Sequence, residues 1–270
     1  MDTVLLSVSA LASLVPASLQ TMRRTPDRDV VFWAVLAVAV AGPVAWVVAN
    51  ASGAWRTELA NALWATVAAT MAIYAVTAVT TRQGWRLMPL MAPYMLLLGI
   101  IATVWLRAPG QPLAEITEES GWIGIHIAVS VTTYAVLTIA AVAALAAFLQ
   151  ERALKRKRPT ALTRALPSVA DCETLVVRLL IVGEIILAIG LAIGLATGMA
   201  LQYGADGTLI SLDHKTVLMV AAFVVIGGLL FAHYASGIRG RQAARVVLLA
   251  YLLMTLGYPG VKFVTDVLMA

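Results

Sequence analysis

Charge is scarce in this sequence. Only 12% of its residues are charged, about half the share usual in soluble domains. Cysteine is nearly absent. Cys172 stands alone, which excludes an internal disulfide, a CxxC redox pair and a cysteine-held iron–sulfur site. There are three histidines, His126, His214 and His233, and none of the seven tryptophans lies beyond Trp122. No HExxH, phosphate loop or Ser/His/Asp set occurs, so the expectation is a protein that is not an enzyme. The opening stretch MDTVLLSVSALASLVPASLQ lacks a basic n-region and carries Asp2. It reads as a retained first helix.

What is present is apolar. Hydrophobic residues make up 61% of the chain and the mean hydropathy is +0.91. The fold class implied is all-α: a polytopic membrane protein with a bundle of eight transmembrane helices. The spans fall near 3–21, 30–50, 58–81, 87–106, 122–150, 171–203, 212–236 and 243–268. Basic residues fill alternate links. Arg23, Arg24 and Arg28 follow span one, and Arg82 and Arg86 follow span three. Arg152, Lys155, Arg156, Lys157, Arg158 and Arg164 follow span five, and Arg239, Arg241 and Arg245 follow span seven. The other links hold one basic residue each: Arg56, Arg107 and Lys215. The positive-inside rule places the basic links in the cytoplasm and both termini on the external, periplasmic side. The net charge of +5 is therefore topological, and no nucleic-acid partner is implied. The run QERALKRKRP reads as a topology anchor touching anionic lipid.

Within the spans, Asn61, Thr66, Thr70, Tyr74 and Thr77 of span three suggest interhelical hydrogen bonds. Pro89 and Pro93 bend the start of a methionine-rich span four. Glu115, Glu118 and Glu119 lie in a polar external link. Ser168, Asp171 and Glu173 suit a capped start to span six, and Arg178 can snorkel to the surface. Gly190, Gly194 and Gly198 repeat every four residues and predict a close helix contact, within the chain or with another protomer. Glu184 is an intramembrane carboxylate and a functional candidate by that fact. Counted from the link between spans six and seven, it reaches the depth of His233, so a Glu184–His233 hydrogen bond is one expectation. Lys262 and Asp266 are spaced for a local ion pair.

The histidines carry the chemistry. His214 and His233 bracket span seven, nineteen residues apart, or about 28 Å on a helix. His126 opens span five and His214 opens span seven, both from the external side. Two imidazoles at matched depth on neighbouring helices suit bis-histidine ligation of a haem iron. Trp122 could stack on a ring edge and Lys215 could meet a propionate. Interfacial histidines also simply bond backbone or headgroups. Asp213 beside His214 resembles an acid–imidazole pair, but adjacent helical residues point about 100° apart.

The second half carries a recognisable series: IHIAVSVTTYAVLTIAA, QERALKRKRP, LAIGLATG, LDHKTVLM and GYPGVKFV. It resembles the membrane cytochrome c assembly family that includes CcsA, ResC and HemX, and most closely its short YpjD-like branch. The likeness is best over Trp122–Ala270. It implies an eight-helix inner-membrane protein tied to haem delivery or cytochrome c biogenesis. On this likeness His126 matches a haem-ligating helix-head histidine, and His233 approximately matches an intramembrane one. The tryptophan-rich platform of longer members is absent, with LDHKT at its end. A later external histidine is missing too, and His214 is a candidate replacement.

The expected organisation is a single membrane domain, with a variable four-helix half over 1–110 and an assembly-like half over 120–270. Three functions follow. The first is haem handling through His126 with His214 or His233. The second is a scaffold or regulator that kept the fold without haem. The third is a transporter using Glu184, Arg178 and Asn61. Beyond the bilayer, the partners foreseen are haem, another membrane protein or a second copy of the chain.

Overall fold

A computed structural model describes residues 3–20, 27–51, 59–106, 120–202 and 214–264. Every regular element among them is helical. The long helices are α1 (Thr3–Leu19), α2 (Val30–Ala51), α3 (Leu59–Thr80), α4 (Met88–Val104) and α5 (Ser120–Arg156). After the short α6 (Ala161–Ala165) come α7 (Val169–Gln202), α8 (His214–Ser236), α9 (Gly240–Thr255) and α10 (Val261–Phe263). A 3₁₀ turn, Gly84–Leu87, leads into α4, and a π turn, Leu256–Gly260, joins α9 to α10. Seven helices are long and apolar enough to cross a membrane, and α1 is a shorter apolar one. These are the eight spans the apolar runs announce.

The helices close into two rings of four. In the first, α1 packs on α2 and α4, and α3 packs on the same two. In the second, α5 packs on α7 and α9, and α8 packs on the same two. The α3–α5 contact joins the rings. The central position of α5 follows from its sequence. Its run Ala135–Ala147 is rich in alanine, which lets neighbouring backbones close in from several sides. In α5, 83% of the most apolar window is buried, against 22% in α7 and 17% in α8. The outer helices turn Val182, Ile185, Val224 and Phe231 outward, where lipid takes the place of core.

With no water in the bilayer core, each hydroxyl needs an internal partner. Most use their own helix. Thr66 donates to the Ala62 carbonyl, Thr77 to Ile73 and Thr138 to Tyr134. Part of the interhelical bonding expected of span three, that of Thr77 and one bond of Thr66, is thus intrahelical, because a threonine hydroxyl reaches the carbonyl four residues back. Tyr74 is different, since its hydroxyl donates to the Trp85 carbonyl at 2.8 Å. Trp46 Nε1 ties α2 to α1 through Ser7 Oγ at 2.8 Å.

One end of the bundle collects the basic links. Arg28 donates to the Ala78 carbonyl at 2.9 Å, and Arg86 to the carbonyls of Arg164 and Ala165 at 2.8 and 2.9 Å. Gln150 Nε2 donates to the carbonyls of Thr163 and Pro167 at 2.7 and 2.9 Å. Ser168 and Asp171 cap α7 as their spacing predicts: Ser168 Oγ lies 2.6 Å from Asp171 Oδ2 and accepts from Asp171 N at 3.2 Å. Glu173 Oε1 accepts from Gly240 N at 2.7 Å, which fixes the start of α9 against α7. Gly240 has φ +64, a backbone conformation open to glycine.

Candidate functional site

His126 lies in the second turn of α5, at the end away from the basic links. Its partners come from the glycines of α7. A Cβ at Gly194 would sit 3.1 Å from His126 Cε1, and one at Gly190 would sit 3.2 Å from Val129 Cγ1. Gly190 and Gly194 therefore face α5 inside the chain, so that part of the stripe serves an internal contact. The missing side chains let the imidazole lie against the α7 backbone, where Gly190 offers the ring a backbone hydrogen-bond partner. Nδ1 is buried and has no partner. This is a ring held in a glycine slot with one nitrogen free of any protein bond. Gly198 lies in α7, beyond the part whose side chains are described.

His214 is the first residue of α8. Its side chain, that of Trp122, and Asp213 as a whole fall outside the described residues. The level of His214 can still be placed. Gly227 of α8 faces Glu184 of α7, and α7 and α8 are consecutive long helices packed together. Running that register along the pair sets the head of α8 within about one turn of Gly194. Counted this way, the backbone of His214 comes about level with Gly194, against which His126 lies. Helices α5 and α8 are opposite corners of the second ring, so they are not packed neighbours. Lys215 is exposed in the first turn of α8.

Glu184 does not meet His233. His233 Nδ1 donates to the Ile238 carbonyl at 3.0 Å, just past the end of α8. That end is closed by Gly237, with φ +68 and its N–H on the His233 carbonyl at 3.1 Å. Glu184 instead turns its carboxyl against Gly227, where a Cβ would lie 2.9 Å from Oε1. Six residues separate Gly227 from His233, or about 9 Å. Counting from the shared link fails because α7 runs further past that end of the bundle than α8 does. Both Glu184 oxygens are buried without a hydrogen-bond partner.

Sequence reasoning missed a buried group of tyrosines. Tyr94 of α4 and Tyr251 of α9 touch hydroxyl to hydroxyl at 2.6 Å. Tyr251 bonds Tyr134 of α5 at 3.0 Å, and Tyr134 bonds Thr255 at 3.1 Å. Tyr258, in the π turn, bonds Thr66 of α3. The signal was available: a tyrosine deep in an apolar span must find a partner for its hydroxyl.

Haem iron binds imidazole, and His126 is the side chain here that would hold such a group. Its ring is anchored on the α7 backbone and Nδ1 is unengaged, the arrangement expected of a histidine whose backbone contact orients the ligating ring. Among the described residues, no three His, Cys, Asp or Glu side chains cluster as a metal site.

Comparison with known proteins adds the family. Residues 28–269 match the family described as "Cytochrome C assembly protein", a span running from the start of α2 to the end and so wider than the second half. The chain is 52% identical, over 99% of both chains, to an Azospirillum brasilense protein described as "Uncharacterized 28.8 kDa protein in nifR3-like 5'region". It is 27% identical to the inner membrane protein YpjD of Escherichia coli K12, over 69% of this chain and 66% of that one. No solved structure matches it significantly. Its spans and this likeness mark a multi-pass protein of a bacterial inner membrane. Membership in the family supports a role in cytochrome c biogenesis, and the chain belongs to the cytochrome c assembly protein family.

Proposed function

We propose that the protein binds and positions haem for cytochrome c assembly and is not an enzyme. His126, near the end of the bundle opposite the basic links, would hold the haem through its imidazole. The observation that carries this reading is the imidazole seated on Gly190 and Gly194 with Nδ1 buried and unpartnered. A buried polar atom left without a bond is costly, and an iron would satisfy it. Haem would bring a redox-active iron to the site. The chain's own part is to hold the ring, exclude water with the apolar faces of α5 and α7, and present Lys215 to a carboxylate. His214, at the same level, is the candidate second ligand. His233 is the weaker one, since it lies at the basic end, beside Ile238 past the close of α8, and so far from His126. We infer that the basic end is cytoplasmic, which puts both termini and His126 on the external side.

An absorbance spectrum of detergent-purified protein from haem-supplied cells tests this. A sharp reduced α-band with about one haem per chain is expected, lost in His126→Ala and altered in His214→Ala. A haem-loaded protein whose spectrum ignores both substitutions would sink the assignment. A preparation without a Soret band would favour the scaffold reading.

A further inference from the structure

Arg178 is exposed on α7, inside a helix that crosses the membrane. It stands nine residues after Val169, or about 13 Å along the axis. Ionisable side chains at such depth ordinarily face the bundle interior or pair with one another, and Arg178 does neither. Its position opens a stripe of outward residues, Val182, Ile185 and Ile189, which are 48%, 56% and 49% exposed. These follow at four, seven and eleven residues, one face of a helix, and the face is apolar apart from Arg178. Among the described residues no carboxylate pairs with the guanidinium. The nearby acids are committed elsewhere: Asp171 to Ser168, Glu173 to Gly240, and Glu184 to the cleft against α8.

The level of the headgroups can be read independently. Tyr234 of α8 is 70% exposed, and the α7–α8 register brings it within about one turn of Arg178. An exposed tyrosine near a helix end marks the interface. Arg178 therefore stands at about the level of the interface, and its stem can carry the guanidinium up to the headgroups by snorkelling. The counter-ion it can reach from there is a lipid phosphate.

We propose that Arg178 holds the phosphate of an anionic glycerophospholipid in the leaflet at the basic end, with an acyl chain lying along Val182, Ile185 and Ile189. Arg239 and Arg241, exposed at the start of α9, add positive potential at the same end and select an anionic headgroup over a zwitterionic one. The guanidinium offers a planar fork of donors suited to two phosphate oxygens.

Native mass spectrometry of the purified chain, titrated with phosphatidylglycerol or phosphatidylethanolamine, reads the site. The wild type should hold phosphatidylglycerol more tightly, and Arg178→Gln should weaken it about fivefold, the effect of one interfacial cation. Arg178→Lys should keep most of the affinity. Unchanged phosphatidylglycerol binding in Arg178→Gln would overturn the proposal, and so would equal affinity of the wild type for both lipids. A second measurement keeps Arg178 in place. The fluorescence that Val182→Trp adds over the wild type, with its seven native tryptophans as the common background, should be quenched more strongly by brominated phosphatidylglycerol than by brominated phosphatidylethanolamine in mixed bilayers. Equal quenching would also overturn it.

Discussion

Glu184 sits in an apolar helix with neither carboxyl oxygen hydrogen-bonded, and Gly227 makes the room it occupies. Packing alone does not favour this residue. An orphaned buried polar group costs about 1–3 kcal/mol, and a straight apolar chain of similar length would fill the same cleft. Glu184→Met is therefore expected to stabilise the detergent-solubilised protein by about 1–3 kcal/mol. The check is the thermal midpoint, read beside a growth assay for cytochrome c maturation. A lower midpoint would mean that the carboxyl has a stabilising partner, such as a buried water. A raised midpoint with impaired maturation would identify Glu184 as a residue held for function at the expense of stability. The glycines on α7 carry the opposite logic. At Gly194 a methyl would press on the His126 ring, so that glycine serves the imidazole.

At the scale of elements, the tyrosine group is what joins α4 to α9 across the two rings. Thr138 Oγ1 also lies 3.1 Å from the Tyr251 hydroxyl, beside its bond to the Tyr134 carbonyl. Thr255 donates to the Tyr251 carbonyl, so its oxygen accepts from Tyr134. Tyr134 in turn accepts from Tyr251, and Tyr251 accepts from Tyr94. The chain of hydroxyls ends on a backbone carbonyl, which suits a clasp. Tyr94→Phe and Tyr251→Phe should each lower stability by about 0.5–1.5 kcal/mol. The double substitution should cost clearly less than their sum, because the two hydroxyls share one bond. Additive losses in a thermal-melt cycle would show that the 2.6 Å contact contributes nothing. The helices themselves were legible, since each apolar run became a span and Ser168 with Asp171 capped α7 where their spacing said. Rotation was not legible. Period and length fix that Tyr134 is on a helix, but only packing decides that it meets Tyr251. The same limit hid which way Gly190 and Gly194 face. It also led residue counting to pair Glu184 with His233, because such counting assumes that α7 and α8 project equally beyond the bilayer.

At the scale of the whole molecule, the basic links converge physically as well as by sequence. Arg86 bonds the α6 carbonyls, Arg28 bonds the end of α3, and Glu173 bonds the start of α9. His126 and Lys215 lie at the other end. Whether that end faces outward is a question of charge, since basic loops are retained in the cytoplasm. The protein offers a clean way to ask it. Its single cysteine, Cys172, is buried, so it should leave little background with a membrane-impermeant thiol reagent. Lys157→Cys and Lys215→Cys each place one thiol at an exposed position, one at each end. In intact spheroplasts Lys215→Cys should label and Lys157→Cys should label only after permeabilisation. The reverse pattern would put His126 on the cytoplasmic side. It would leave the fold and the glycine slot intact, but a haem held there would face the compartment opposite to the one the positive-inside rule assigns it.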